Sequence, residues 1–314
     1  MKAPSISVCI PVFNNRNSIR GSIKSILSQD YRDFEIIVSD NHSDDGTYEE
    51  LKRIKDKRLR IFRNPKNIGW RLNSNKALSL AKGKYVVTLH ADDYFRQGYF
   101  RKVVQIFEKN TAIGSIHFIS NAEKAKYFGN KRLICADEYY SKIASLRMVP
   151  HPIKTAYRRE AIINSEYYEK DYWTGEARLA MNIAEKGYPV YIEGETYVDM
   201  AKEKKWGDSQ RTENVILMFE NTYDFLKELT GDKKITKRDM NLLKESVIRA
   251  FLLLYRYYIN RKEPELKKAL ADAGRKINKS DEFEKFRLKI FFGKIEVRIR
   301  ILIKNTLTKL NISH

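Results

Sequence analysis

Ile6-Ser7-Val8-Cys9-Ile10 runs directly into Pro11-Val12-Phe13-Asn14-Asn15, and Glu35-Ile36-Ile37-Val38-Ser39 runs into Asp40-Asn41-His42-Ser43-Asp44-Asp45-Gly46-Thr47. Each is a short β-branched run that breaks into polar turn formers, the pattern of a buried strand entering a loop. The pattern recurs at Leu59–Phe62, at Tyr85–Leu89, which ends in His90-Ala91-Asp92-Asp93, at Ser115–Ile119 and at Pro189–Ile192. Between these runs, Ser18–Gln29 places Ile19, Ile23, Ile26 and Leu27 near the helical period, and Asn73–Leu80 does the same with Ala77, Leu78 and Leu80. Strands alternating with helices predict an α/β fold, a mainly parallel sheet flanked by helices. In open sheets of this kind ligands bind beyond the carboxyl ends of the strands, so chemistry is expected in the loops just quoted.

The 314 residues suffice for a sizeable core, and 42% apolar with 12% aromatic content excludes a disordered chain. No run of eighteen apolar residues suggests a membrane-spanning helix. The N-terminal Met1–Phe13 has one basic residue and no small-residue cleavage site, and we read it as the first strand rather than a targeting segment. Cys9 and Cys135 have no Cys or His neighbours at metal-ligand spacing and are expected as free thiols. The formal charge of +20 calls for an anionic partner: nucleic acid, an acidic membrane or a phosphorylated small molecule.

Two adjacent carboxylates at a strand end, Asp92 and Asp93, repel each other in a cleft unless a cation or hydrogen-bond donors compensate them. A hard divalent ion does so with open positions left for phosphate oxygens, whereas the alternative is a pair that merely caps the next helix or turn. Asp40 has the same two readings, a turn former or an acceptor for a base or ribose hydrogen.

Ser7-Val8-Cys9-Ile10-Pro11-Val12-Phe13-Asn14, Ile36 to Thr47, Asn67-Ile68-Gly69 with Asn75, Ala81-Lys82-Gly83-Lys84-Tyr85 and Leu89-His90-Ala91-Asp92-Asp93 together resemble glycosyltransferase family 2, over about Ile6 to Ile192. The resemblance implies a GT-A fold, a Rossmann-like α/β domain that transfers a sugar from a nucleoside-diphosphate sugar with inversion. It also implies that Pro11, Phe13 and Asn14 line the nucleoside pocket, that Asp40 contacts base or ribose, and that Asn67, Gly69 and Asn75 belong to the nucleotide half. The family's DXD motif falls on His90-Ala91-Asp92, with His90 in place of the first acid. Asp92, with Asp93, is then the expected ligand of Mn²⁺ or Mg²⁺. His90 is expected at the ribose, at a phosphate oxygen or at the metal as a neutral imidazole.

Inverting transfer needs a base for the acceptor hydroxyl. Counting back from Gly187 and the strand that follows it, the resemblance puts this base at Glu176, with Asp171 as the alternative; by position alone Glu176 is a first-turn helix acid. His151 and Trp206 are weaker acceptor-side candidates. Arg158, Arg159 and Arg211 are phosphate contacts or solvated surface charges.

We expect a GT-A domain over 1–209, with a nucleotide-sugar half of about 1–120 and an acceptor half of about 121–209, and a helical extension over 210–314. Residues 201–314 hold 27 Lys and Arg against 16 Asp and Glu, and Lys285 to Lys309 holds eight basic residues, one acid and many Leu, Ile and Phe. Such a helix either lies on an anionic membrane or packs on its neighbours with its charges solvated. The expected partners are thus a nucleotide-sugar donor, preferably a UDP-sugar, a glycan or lipid-linked saccharide acceptor, and an anionic membrane. The expected location is the cytoplasmic face of a bacterial cell membrane. A basic nucleic-acid-binding protein is the alternative from another class, motivated by the charge alone, but nucleic acid is not the expected partner, because no helix-turn-helix, zinc-finger or RRM signature accompanies the charge. A nucleotidyltransferase of related fold is the enzymatic alternative, though it would open with a Gly-rich basic loop that Pro11–Asn15 lacks.

Overall fold

The structure, a computed structural model, describes residues 3–139, 154–163, 179 and 182–199. The expected boundary at 209, the helical extension and its basic tail lie outside them.

Strands β1 (Ile6–Val12), β2 (Phe34–Asp40), β3 (Leu59–Arg63) and β4 (Tyr85–Thr88) form within two residues of the expected bounds. All of β2 and all of β1 except Pro11 is buried, as central parallel strands covered on both faces must be. Helices α1 (Ile19–Leu27), α2 (Thr47–Lys52) and α3 (Trp70–Ser79) connect them. Helix α3 starts three residues before the expected Asn73. Its first turn leaves Trp70 and Leu72 exposed, so no apolar stripe marked it in the sequence.

Beyond β4 come β5 (Tyr94–Phe95), α4 (Tyr99–Lys109), β6 (Ser115–Phe118), α5 (Asn121–Phe128) and β7 (Leu133–Ile134). They are followed by β8 (Thr155–Arg158), α6 (Arg159–Ile162), β9 (Val190–Glu193) and β10 (Val198–Asp199). The main sheet has the order β3-β2-β1-β4-β8-β6-β9-β7, and β10 pairs with β5 separately. β8 runs antiparallel to β4 and β6, and β7 antiparallel to β9; the other pairings are parallel, so the sheet is mainly parallel as expected. The chain winds outward from β1 to β3 and then returns to place β4 on the other side of β1. In open α/β sheets such a reversal, at the carboxyl ends of the strands, is where ligands bind.

Helix α4 covers this half of the sheet with Tyr99, Phe100, Val103, Ile106 and Phe107, all buried, and Phe107 stacks on Tyr85 at 4.4 Å. Each such side chain contributes roughly 1.5–3 kcal/mol on burial. At the opposite end of the sheet, buried Glu35 accepts hydrogen bonds from Ser7 Oγ (2.6 Å), the Lys82 amide (2.8 Å) and Arg60 (2.7 Å). These bonds, with Gly83 N donating to Ser7 Oγ (2.8 Å), lock the entries of β1, β2 and β4 together, which sets the register of their exits. Both cysteines are free thiols; Cys9 is buried, and its Sγ donates to the Ala77 carbonyl. No helix among the described residues is long and apolar enough to cross a membrane.

Candidate active site

Parallel strands deliver their exits to one edge, so three of the loops singled out in the sequence meet around the end of β1. Val12 sits opposite Asp40 across the β1–β2 pairing, and the Asn41 amide donates to the Val12 carbonyl at 2.8 Å. On the other side, Thr88 pairs with Cys9 and the Leu89 amide reaches the Cys9 carbonyl, which carries His90 to Asp93 to the same edge.

The first loop is shaped by the second. Asn14 adopts a positive φ of 53°, and its side chain and Asp44 bond reciprocally: Asn14 Nδ2 donates to Asp44 Oδ1 (2.8 Å), and the Asp44 amide donates to Asn14 Oδ1 (3.1 Å). The Asn14 amide donates to Ser43 Oγ (3.0 Å), and the Asn15 amide to Thr47 Oγ1 (2.8 Å). Burial pushes the Asp45 carboxyl upward, but hydrogen bonds from Thr47 Oγ1 and the Arg16 and Thr47 amides outweigh it and hold Asp45 below the usual range. Pro11 and Phe13 are half-buried on this loop.

Asp40 is fully buried and already engaged. Its Oδ1 accepts from Ser43 Oγ at 2.5 Å, and its Oδ2 lies 3.3 Å from Arg63 Nε. A carboxylate so held is oriented by Ser43 and Arg63, two residues the sequence reading did not select. Asn67 and Gly69 are brought to the same edge from the β3 side: Asn41 Nδ2 and the Gly69 amide both donate to Asn67 Oδ1, at 2.7 and 2.9 Å. Asn75 lies half-buried on α3.

His90, Asp92 and Asp93 each offer one ligand atom, and these lie within 4.8 Å of one another. The pair of acids caps no helix: β5 follows it, and α4 begins only after Gly98. Helix α1 pins this turn, because Ser22 Oγ donates to the Ala91 carbonyl (2.9 Å) and the Phe95 amide donates to Ser25 Oγ (3.1 Å). Gly21 permits the approach, since a Cβ there would meet Tyr94 Cε1 at 2.9 Å. The donor set of one imidazole and two carboxylates fits a divalent cation, and the imidazole favours Mn²⁺ over Mg²⁺.

A cavity of about 550 Å³ opens beside this edge on the α2 side, lined by Arg16, Arg53, Arg63, Glu49, Glu50 and the Ser43–Gly46 turn. It shares Ser43 and Arg63 with the surroundings of Asp40, while no residue of the His90–Asp93 turn lines it. Arg158, read in the sequence as a phosphate contact or a solvated charge, is neither: it is buried and donates to the carbonyls of Ile113, Phe107 and Asn110. Glu176, Asp171, His151, Trp206 and Arg211 lie outside the described residues.

Residues 7–168 match the sequence profile of glycosyl transferase family 2. The GalNAc(5)-diNAcBac-PP-undecaprenol beta-1,3-glucosyltransferase of Campylobacter jejuni is 28% identical over 194 residues, 60% of this chain and 62% of that protein. The chain thus spans about six-tenths of that relative's length. S. aureus TarS, residues 1–349 in complex with UDP-GlcNAc, superposes with a TM-score of 0.66 at 17% identity, covering 87% of this chain and 81% of that one. The mannosyltransferase PcManGT of Pyrobaculum calidifontis, in complex with GDP-Man and Mn²⁺, superposes with a TM-score of 0.59 at 18% identity, covering 91% of this chain and 84% of that one. These likenesses show the GT-A fold.

Proposed function

The chain belongs to glycosyl transferase family 2, and on that premise we propose that it moves a sugar, with inversion, from a UDP-sugar to a hydroxyl of a glycan or lipid-linked saccharide. The reading rests on one observation above the others: the exits of β1, β2 and β4 converge at the reversal point of the sheet, with Asp40 on one flank and the His90, Asp92, Asp93 cluster on the other. Two solved structures of the same fold that hold UDP-GlcNAc, or GDP-Man with Mn²⁺, support a nucleotide-sugar donor. A relative named for glucosyl transfer to an undecaprenol-linked acceptor supports a saccharide acceptor on a lipid carrier and a role in bacterial surface polysaccharide or glycoconjugate synthesis.

In this reading Pro11, Phe13 and Asn14 form one wall of the nucleoside site, Asp40 accepts a hydrogen from base or ribose, and Asn67, Gly69 and Asn75 bound it from the β3 side. Asp92, Asp93 and His90 would hold Mn²⁺ or Mg²⁺, and such an ion, when bound, stabilises charge on the leaving diphosphate. Glu176 takes the acceptor proton as the hydroxyl attacks the anomeric carbon opposite the diphosphate, with His151 and Trp206 on the acceptor side. The basic segment Lys285–Lys309 holds the protein to the anionic inner face of the cell membrane, each surface basic residue adding about 1 kcal/mol.

Calorimetry with UDP and with GDP, each with and without Mn²⁺, tests the donor site. Tighter UDP binding in Mn²⁺ is expected, and absence of binding by either nucleotide in both conditions overturns the reading. Glu176→Gln is expected to abolish transfer at nearly unchanged UDP affinity; retained turnover removes Glu176 from the base role.

A further inference from the structure

Asn73 was marked by none of the motifs, yet it is 2% exposed on the first half of α3 and reaches all three nucleotide-side strands. Its Oδ1 accepts from Ser39 Oγ at 2.7 Å and from Asn64 Nδ2 at 2.9 Å. Its Nδ2 donates to the Ser39 carbonyl at 2.9 Å and, at 3.5 Å, to the Val12 carbonyl. One amide thus touches the end of β1, the residue before Asp40 on β2, and the first residue after β3. Only a side chain with donors and acceptors on one planar group makes all four contacts, and the amide's hydrogen-bonding capacity is filled.

The network continues without a mismatch of donors and acceptors. Lys76 Nζ donates to Asn64 Oδ1 at 2.7 Å, which turns Asn64 Nδ2 toward Asn73 Oδ1 and, at 3.0 Å, Asn41 Oδ1. Asn41 Oδ1 also accepts from the Ile68 amide at 3.0 Å, and Asn41 Nδ2 reaches Asn67. The Asn64 amide donates to the Asp40 carbonyl at 2.8 Å, and its own carbonyl lies 3.1 Å from His42 Nδ1. Asp40 is therefore bracketed in sequence by two network members, Ser39 and Asn41. The Asn67–Gly69 turn hangs from the same network. Buried polar networks that are fully satisfied favour one arrangement over its neighbours.

We propose that Asn73 is a positioning residue for the nucleotide side of the active site: it holds the β1, β2 and β3 exits in the one relative geometry in which Asp40 and the Asn67–Gly69 turn receive the nucleoside. The inference rests on the donor-site reading above, and it assigns to Asn73 donor affinity rather than chemistry. Asn73→Ala frees three loops that must then be ordered by the ligand, so affinity falls. Asn73→Asp keeps the shape and the acceptors but sets a carboxylate against the Ser39 and Val12 carbonyls.

The test uses the full-length chain with UDP as the probe in the presence of Mn²⁺, and GDP in parallel. Both variants are expected to weaken binding of the nucleotide that wild type prefers by about tenfold, and to raise the donor KM to match while kcat at saturating donor changes less than twofold. Ser39→Ala removes a single bond to Asn73 Oδ1 and serves if the larger changes impair folding; a shift of about threefold in the same direction is expected. Ile106→Ala on α4 is the control for general destabilisation: it lowers the active fraction, and hence apparent kcat, without moving KM. Asn64→Ala combined with Asn73→Ala is expected to lose less affinity than the two single losses combined, as members of one network do. Wild-type affinity retained in Asn73→Ala, or a kcat loss at constant KM like that of Ile106→Ala, overturns the inference. If wild type itself binds neither nucleotide, the donor-site reading fails and this inference falls with it.

Discussion

His90 Nδ1 stands 3.3 Å from Asp93 Oδ2, and the Asp93 carboxylate is wholly inaccessible to solvent. An imidazole therefore faces the buried acid at the position that the sequence resemblance aligns with the first acid of a DXD motif. His90→Asp adds a third negative charge to the cluster. We expect it to tighten Mn²⁺ binding about tenfold, because ligand charge tunes cation affinity, and to lower the melting temperature without metal through carboxylate repulsion. Titration of Mn²⁺ by electron paramagnetic resonance and melting with and without the ion check both effects. An unchanged Mn²⁺ affinity in His90→Asp and in Asp92→Asn excludes this cluster as the cation site.

Arg63 and Ser43 orient Asp40 together: Arg63 Nε faces Asp40 Oδ2 at 3.3 Å, and Arg63 Nη2 donates to the Ser43 carbonyl at 2.9 Å. Arg63→Ala leaves the buried carboxylate with Ser43 alone. The expected loss of stability is about 1–3 kcal/mol, toward the lower end because the Arg63 side chain is 34% exposed. Arg63→Lys keeps the charge but not the two-pronged geometry and should restore less than half of the loss in urea unfolding.

Gly83→Ala places a methyl group 2.6 Å from the Ser7 amide nitrogen and 2.7 Å from the Ile6 carbonyl carbon, both backbone atoms of β1. The β1–β4 junction must shift, at a cost of about 1–3 kcal/mol or more. Gly98→Ala meets only Tyr197 Cε1 at 3.9 Å, an ordinary contact, and costs the strain of its left-handed backbone (φ 82°, ψ −7°), on the order of 1–2 kcal/mol. Paired urea midpoints should rank Gly83→Ala as the more damaging; the reverse order shows that β1 and β4 yield at this contact.

Burial pushes the His117 pKa down to about 3, with Tyr139 Oη 2.6 Å from its Nε2. The unfolded chain therefore binds a proton that the folded chain refuses. Stability from the neutral imidazole is complete above the unfolded value of about 6.5 and falls as pH drops below it, by up to about 1.4 kcal/mol per pH unit. The decline levels off as pH reaches the folded value of about 3. In His117→Asn, stability at pH 7 should be lower, yet its decline between pH 6 and pH 4 should flatten relative to wild type. Parallel slopes in the two proteins show that the carboxylates alone carry the acid limb.

Strands that end abruptly in turn formers were legible in the sequence. β1, β2, β3 and β4 follow from β-branched runs ended by turn formers. Four helices were not selected: α2 is only six residues long and α6 only four, α4 is rich in Tyr, Phe and Val, which suit strands equally, and α5 buries only Phe128. A local signal for α5 existed, the capping box in which Ser120 and Glu123 bond reciprocally. β8 could not be placed from pattern, since it enters antiparallel between β4 and β6 from a distant part of the chain.

The site divides along the same line. Asp40, Asn14 and the His90–Asp93 turn were identifiable because strand exits are local features, and a parallel sheet carries such exits to one edge. The pairing of Asp40 with Arg63, the contact of His90 with Asp93 and the selection of Asn73 rather than Asn75 as the buried link emerged only from the folded chain. Asn73 bonds to residues 34 and 61 positions away. Hydrophobic periodicity records which face of an element is buried, and it does so within one element. Hydrogen bonds between elements depend on strand order and register, which the whole sheet sets together.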